Sequence, residues 1–561
     1  MPSKRVLRIR TTAALLGASL LLVAAFAFRL AFGLCSEFWF EDETQVFLLG
    51  LRYYASGLWP YFGPDIGGIR AQLPGALQAL LVGLPLRVAP VPESPFVVLN
   101  VLSLAALAAF AWYVRRRLPS LPAWLVWGWL LTAPWTLNFS THVVNVSYLL
   151  PAGILFFIGL LEALPALRAG VVSVAAAHFM MGFALLCVVQ LHMSWVVLVL
   201  FMLVAFAMRA REGVGSFARA TSWTLLGAVI PGSLLFPTLW VYGLRAGGTD
   251  QALRVEWVDP SKLVMIAARF LSFPSFEIAR FLGRSTARRV YFISQHPWLA
   301  PFAVIVGLAG VVQPVLMALL WFKKDPADPR WRPLKWMVLA TIVVLYFSYF
   351  LASNKDPQAH AFYVVAPLAM LYAFHCFRQV DSPRLRKAAA AILALGLLYH
   401  AGLAAVRLGE RSLYKNRRVV MAAIGTKTPE VLGHRRPFTR DAGPIPALER
   451  TPAFAMANEQ GDLRISVDGW RRGAGGSSLF DLTIQHTGSV AAYRDLRYVT
   501  EYRAASGEMV RTGEGKVYEL IQPGQTLRLV AFNEGGVDES AARATFRVVG
   551  AERVVPIPPG L

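Results

Sequence analysis

The sequence predicts a polytopic α-helical membrane protein of about eleven transmembrane helices, followed by a C-terminal all-β sandwich. Three observations predict it. Of 561 residues, 56% are hydrophobic and 16% charged, whereas an ordinary soluble domain carries about 25% charged residues. Such an apolar excess exceeds what one core can hide and points to lipid. The apolar residues come in runs near membrane-spanning length, with Lys and Arg clustered at alternate ends. Past residue 450 the pattern changes to short alternating stretches.

Arg5, Arg8 and Arg10 precede the apolar run 12–34, and acids follow it. By the positive-inside rule the N-terminus is expected in the cytoplasm, with the first helix crossing outward. Cys35 ends "AFGLC", where Leu34 is too large for a lipoprotein cleavage site, so no cleaved signal is expected and this helix serves as an anchor. Run 96–113 ends in Arg115–Arg117 and crosses back. Residues 35–95 then form an outer loop, in which the short run 73–86 reads as a juxtamembrane helix. Runs 121–137, 146–167, 171–190, 194–208, 221–242, 299–322, 336–352, 361–377 and 388–406 continue the alternation, with Arg168, Arg209–Arg211, Lys323–Lys324 and Arg378 at the inner ends. The tail is thereby placed outside.

The outer loop 243–298 breaks the bias. In "FEIARFLGRSTARRVYF" apolar residues and arginines share helical spacing. It reads as an interfacial helix on anionic lipid, or as a clamp for a lipid phosphate through Arg284, Arg288 and Arg289. Residues 407–450, with Pro437, Pro444 and Pro446, read as a linker. In 451–561, segments such as "DLRISVDGWRRG", "SLFDLTIQHTG" and "TLRLVAF" alternate apolar and polar residues between Gly, Pro and Asn. That is a sandwich pattern, and the tail resembles small immunoglobulin-like bacterial modules. The expected organisation is a membrane domain over 1–406, a linker over 407–450 and an outer β-domain over 451–561.

The net charge of +22 is accounted for by the positive-inside bias, because most Lys and Arg punctuate apolar runs. Nucleic-acid binding would need basic clusters on a soluble surface. Three scattered cysteines, Cys35, Cys187 and Cys376, suggest neither a zinc site nor a disulfide framework.

The chemistry-bearing stretch is "FWFEDETQVFLLGLRYYASGLWPYFGPDIGG". It carries acids where the chain leaves lipid, then a helix, a small-residue turn, an aromatic-Pro-aromatic step and a further Asp. Asp42-Glu43, Ala55, Gly57, Trp59-Pro60-Tyr61 and Asp65 give it a resemblance to the first outer loop of GT-C glycosyltransferases, the superfamily of protein O-mannosyltransferases and lipid A aminoarabinose transferases. The family's "PPLY"-like segment is replaced by "IGGIRAQLPGALQALL", with only Pro74 in a comparable place. A second stretch, "SNKDPQAHAFYVVAPLAMLYAF", resembles the late-helix mouth of the family at Lys355, His360, Tyr363 and Pro367. The plain alternative is an ordinary loop with a basic anchor.

The resemblance implies transfer of a sugar from a polyprenyl-phosphate carrier to a lipid, glycan or protein acceptor outside the cytoplasm of a bacterial inner membrane, with inversion at the anomeric carbon. A carboxylate accepts the proton of the attacking hydroxyl or amine, and cations stabilise the leaving phosphate. Asp42 is the expected base, Glu43 its partner and Asp65 the reserve. Arg70, Lys355, His360 and the loop arginines are the expected phosphate ligands. Gln72, His142, Asn145 and His192 are polar points on the same face, costly near membrane depth and so candidates as a set. A His at a helix end is also commonly a satisfied structural residue. No cofactor is required by this reading; a divalent metal on His142, His192 and Asp42 is conceivable, though no spacing supports it. The alternatives are a transporter or flippase of lipid-linked sugars, a glycan ligase or polymerase, and a membrane anchor displaying the sandwich.

Overall fold

The computed structural model describes all residues except 1–3, 37–40, 66–71, 244–259, 283–285, 326–327, 353–358, 411–412, 428–447, 451–453, 456–461, 473–476, 489–491, 518–520, 522–523 and 557–561. Two compact units are present: a helical one of Met1–Tyr54 and Trp59–Gly425, and a second, carrying the β-domain, of Ala55–Leu58 and Thr426–Leu561.

The helical unit runs α1 (Lys4–Ser36), α2 (Glu41–Ser56), the hairpin β1 (Phe62–Asp65) and β2 (Gln72–Pro74), α3 (Leu77–Val88), α4 (Ser94–Arg117), α5 (Ala123–Thr132) and α6 (Pro134–Asn138). A 3-10 turn (Asn145–Tyr148) leads into α7 (Leu149–Ala163), α8 (Val174–Leu191), α9 (Trp195–Glu212) and α10 (Val214–Tyr242). Then come α11 (Ser261–Ser272), α12 (Ala279–Leu282), α13 (Thr286–Gln295), a 3-10 turn (Pro297–Leu299), α14 (Ala300–Leu320) and α15 (Trp331–Ala352). A third 3-10 turn (Ala359–Val365), α16 (Ala366–Val380), α17 (Pro383–Glu410) and α18 (Leu413–Thr426) complete it.

Among the described residues, eight helical segments are long and apolar enough to cross a membrane: Ser19–Ser36, Ser94–Arg117, Asn145–Ala163, Val174–Leu191, Val214–Val241, Pro297–Leu320, His360–Val380 and Pro383–Leu408. The other three expected runs fall on α5–α6, α9 and α15. Run 73–86 forms α3, a helix of 12 residues, short of the roughly 20 a span needs.

Hydrogen bonds sort the helix ends into two levels. Ser36, ending α1, meets His142 after α6, and Asn145 reaches the Leu191 carbonyl that ends α8. These mark the upper end. At the lower end Tyr113 donates to buried Glu162, which also accepts the backbone N–H groups of Ala169, Gly170 and Val171. Arg117 donates to Leu167 O and Arg209 to Ala163 O. The clusters Arg115–Arg117 and Arg209–Arg211 thus share the lower end.

Lipid tails are as apolar as Leu, so close packing must hold membrane helices together, and small residues permit it. A Cβ on Gly227 of α10 would lie 2.0 Å from the Phe179 carbonyl of α8, and one on Gly182 of α8 2.0 Å from that of Thr224. Gly159 of α7 would meet the Ala177 carbonyl at 2.5 Å.

The run 121–137, expected as one helix, is broken between α5 and α6 at Ala133, before Pro134. Proline cannot donate and disfavours helical geometry in its predecessor. The Leu131 carbonyl, in the turn before the break, is taken by Arg29 of α1. Its guanidinium donates to Leu131 O at 2.8 Å, to Thr136 O at 3.2 Å and to Ser140 Oγ. Arg29 is 1% exposed.

The β unit comprises β3 (Leu448–Arg450), β4 (Phe454–Ala455), β5 (Leu463–Arg472), β6 (Ser477–His486), β7 (Ala492–Ala504), β8 (Met509–Val517), β9 (Thr526–Gly536) and β10 (Ala541–Pro556). One sheet has the order β5-β6-β9 and the other β3-β10-β7-β8, with β4 also on β10. All pairings are antiparallel. Alternation puts Phe480, Leu482 and Ile484 of β6 into a shared core with Tyr498 and Tyr502 of β7 and Phe546 and Val548 of β10. This is the sandwich that the alternating pattern predicts.

Candidate functional site

The acids open α2. Glu41, Asp42 and Glu43 occupy its first turn, where backbone N–H groups and the helix dipole favour negative charge. Asp42 is exposed and Glu43 half-buried. Helix α2 is seated on α3 by a glycine crossing: a Cβ on Gly83 would lie 2.6 Å from both the Gly50 carbonyl oxygen and the Tyr53 ring. Arg87 of α3 sits 4.2 Å from the centroid of that ring.

The β1–β2 hairpin pairs Asp65 with Gln72. Gln72 is buried, and its amide donates to Gly63 O at 3.3 Å. Thr238 of α10 donates to Tyr61 O at 2.6 Å, and Gly75 abuts the Gln190 side chain of α8. The hairpin therefore rests on the upper ends of α8 and α10. Arg70 lies outside the described residues, as do Arg284 and Lys355. Arg288 and Arg289 fall in α13, with Arg289 half-buried.

Three histidines have their tautomers set by their partners. Ser36 Oγ donates its one proton to Phe32 O at 2.5 Å and lies 2.8 Å from His142 Nε2, so His142 must donate from Nε2. Ser194 N–H donates to His192 Nδ1 at 3.1 Å, which leaves the proton of neutral His192 on Nε2. The Arg280 guanidinium can only donate; it meets His360 Nδ1 at 2.8 Å, so His360 also carries its proton on Nε2. The structure thus sets the Arg280 guanidinium against His360, whose Nε2–H remains to donate.

Beneath it lies an aromatic floor. Arg280 sits 5.4 Å from the centroid of Trp135. Trp135 stacks on Phe139 at 5.4 Å and on Tyr363 at 5.9 Å, and meets Phe273 and Phe281 edge-on at 4.9 and 5.4 Å. Tyr363 is fully buried and donates to Trp135 O at 3.1 Å. Its hydroxyl is committed, so it shapes the floor rather than facing outward. The buried Nε1 of Trp135 has no acceptor among the described residues.

His142 packs on α1. It stacks on Phe32 at 5.9 Å and is buried. Burial, with the Arg407 charge adding to it, lowers its pKa from 6.5 to about 3. Burial likewise lowers that of His192 to about 4. Both are therefore neutral near pH 7. Asn145 accepts from Val146 N–H and donates to Leu191 O, tying the 3-10 turn to α8. Among the described residues no three His, Cys, Asp or Glu side chains gather to hold a metal ion. The conceivable His142–His192–Asp42 set does not come together, because His142 is turned into the Ser36–Phe32 contact while Asp42 sits exposed on α2.

No family model matches the chain, and no curated protein sequence does. In structure the chain is similar to ArnT from Cupriavidus metallidurans in the apo state, with a TM-score of 0.42 at 12% identity over 75% of each chain. It is similar to the same protein bound to undecaprenyl phosphate, with a TM-score of 0.40 at 14% identity over 74% of this chain and 75% of that one. Arabinosyltransferase EmbB from Mycobacterium smegmatis gives a TM-score of 0.28 at 12% identity, covering 96% of this chain and 64% of its own.

Arg280 and Arg29 were not among the residues the sequence singles out. Arg280 is one of many arginines in 243–298, and only its seat on His360 and Trp135 sets it apart. Arg29 had a signal of its own, a lone charge inside an apolar run.

Proposed function

We propose that this chain is a membrane glycosyltransferase that moves a sugar from a polyprenyl-phosphate-linked donor to an acceptor on the extracytoplasmic side of a bacterial inner membrane. The observation that carries the reading is the Arg280–His360 pair over Trp135. It lies at the same end of the helical unit at which the acids open α2. Transfer from a phosphate-linked donor requires those two kinds of group. Asp42 takes the proton of the attacking hydroxyl or amine, and Glu43 orients the acceptor. Arg280, with the Nε2–H group of His360, receives the charge that grows on the departing phosphate. Asp65, Arg70, His192, Lys355, Arg284, Arg288 and Arg289 remain candidates for the same face. With the lower end basic, the N-terminus is cytoplasmic and the upper end faces out.

Arg29 is a charge within the apolar zone, as a transporter would need, but its described hydrogen bonds go to α5–α6 groups and the loop after them. It therefore lends no support to a transport pathway.

Binding of undecaprenyl phosphate to the purified protein tests the donor half. Losing a charge-assisted contact costs about 1.5–3 kcal/mol, so Arg280→Ala should weaken binding by roughly ten- to a hundredfold. Unchanged binding in Arg280→Ala would remove the patch from the donor site.

A further inference from the structure

We infer that the outward face of the β10–β7–β8 sheet is a binding surface for an anionic polysaccharide. This proposal concerns the β unit alone and does not depend on the transferase reading. Leu496, Tyr498, Thr500 and Tyr502 of β7 point into the core, so Arg497, Val499, Glu501 and Arg503 stand on the outer face. On β10 the same face carries Arg543, Thr545 and Arg547, and on β8 Thr512, Glu514 and Lys516.

The register then sets cations directly against cations. Arg497 is opposite Lys516, and Arg503 is opposite Arg543. Directly opposed like charges destabilise a sheet, and folding alone gives no reason to place two such pairs on one face. Lys and Arg nearly balance Asp and Glu across 451–561, so the face is basic through sorting rather than through an overall excess. Arg503 does reach Glu501 at 3.2 Å. Arg497, Lys516, Arg543 and Arg547 make no ion pair among the described residues.

Between the two cationic rows run Thr512–Glu501–Thr545 and Glu514–Val499–Arg547, which offer hydroxyls, two carboxylates and a further guanidinium. Spaced cations around such rows suit a polymer that alternates acidic groups with sugar hydroxyls. A lipid surface fits less well. Val499 is half-buried and Met509, opposite Arg503, is the one large apolar side chain exposed on this face, which is little to insert, and Glu501 and Glu514 would face a continuous anionic layer.

The test uses the full-length protein in phosphatidylcholine nanodiscs. Alginate and neutral dextran of equal mass serve as soluble probes, with phosphatidylglycerol vesicles as a third. Alginate should bind and dextran should not. The double variant Arg503→Gln/Arg543→Gln should lose at least tenfold in alginate affinity, and Arg497→Gln should lose affinity independently. Because Arg543→Thr relieves a like-charge pair, it should unfold at the wild-type temperature or above, which separates lost binding from lost folding. The proposal is overturned if dextran binds as well as alginate does. It is equally overturned if the double variant keeps wild-type alginate affinity, or if the vesicles bind through these arginines while alginate does not. A fall in unfolding temperature for Arg543→Thr would remove the like-charge argument.

Discussion

Arg29 holds open a break in a helix that the sequence presents as continuous. Its guanidinium supplies donors to the Leu131 and Thr136 carbonyls beside Pro134. Arg29→Ala leaves the Leu131 carbonyl without its side-chain donor, at a cost of about 1–3 kcal/mol, while the Thr136 carbonyl keeps Ser140 Oγ. A loss of about 1–3 kcal/mol in unfolding stability is expected, with Arg29→Lys recovering only part, since one ammonium lacks the reach of the planar fork. Wild-type stability in Arg29→Ala would show that water or a neighbour serves the Leu131 carbonyl.

His142 gives a pH dependence with a definite sign. Its pKa is about 3 in the folded chain against an ordinary 6.5, so between those values the unfolded chain binds a proton that the folded chain does not. Its stabilising contribution is complete above about pH 6.5 and is lost as pH falls toward 3. His192, lowered to about 4, acts in the same direction. The unfolding temperature should fall between pH 7 and pH 5, and His142→Gln should flatten that slope. An unaltered slope would mean that His142 is solvated.

Among the elements, the α2–α3 crossing places the acids. Gly50 and Gly83 pass too closely for a side chain, and overpacking of this kind costs about 1–3 kcal/mol. Gly83→Val should lower stability by that amount and reduce sugar transfer beyond what the stability loss explains, because α2 carries Asp42 and Glu43. Transfer at the wild-type rate in folded Gly83→Val would show that the position of α2 is unimportant.

The elements also show what a sequence can reveal. Apolar runs bounded by Arg115–Arg117 or Arg209–Arg211 are legible because the length of a span and the cost of burying charge act locally. The break at Ala133 is less so: Pro134 is visible, yet its consequence depends on Arg29, about a hundred residues away in the chain. The same holds for the patch. His360 could be singled out from its own stretch, whereas Arg280 becomes distinct only through tertiary contact with it. The acids of α2 were legible as a motif, but the Gly50–Gly83 crossing that fixes them was not.

At the scale of the whole molecule, a membrane-embedded helical unit brings cationic donors and acids to one end, and a separate sandwich follows it. The lower end collects the arginine clusters, so the orientation and the proposed chemistry stand together: a lipid-linked donor would be met on the face opposite the basic end. The central claim is that the acids opening α2 perform chemistry rather than merely beginning a helix. The most direct measurement is the surface glycan profile of cells lacking the wild-type copy and carrying Asp42→Asn or Glu43→Gln, with membrane insertion verified. Loss of the glycan in Asp42→Asn while the protein accumulates normally is the predicted result. A wild-type glycan in both variants would contradict the account and leave the acids as a favourable start to a helix.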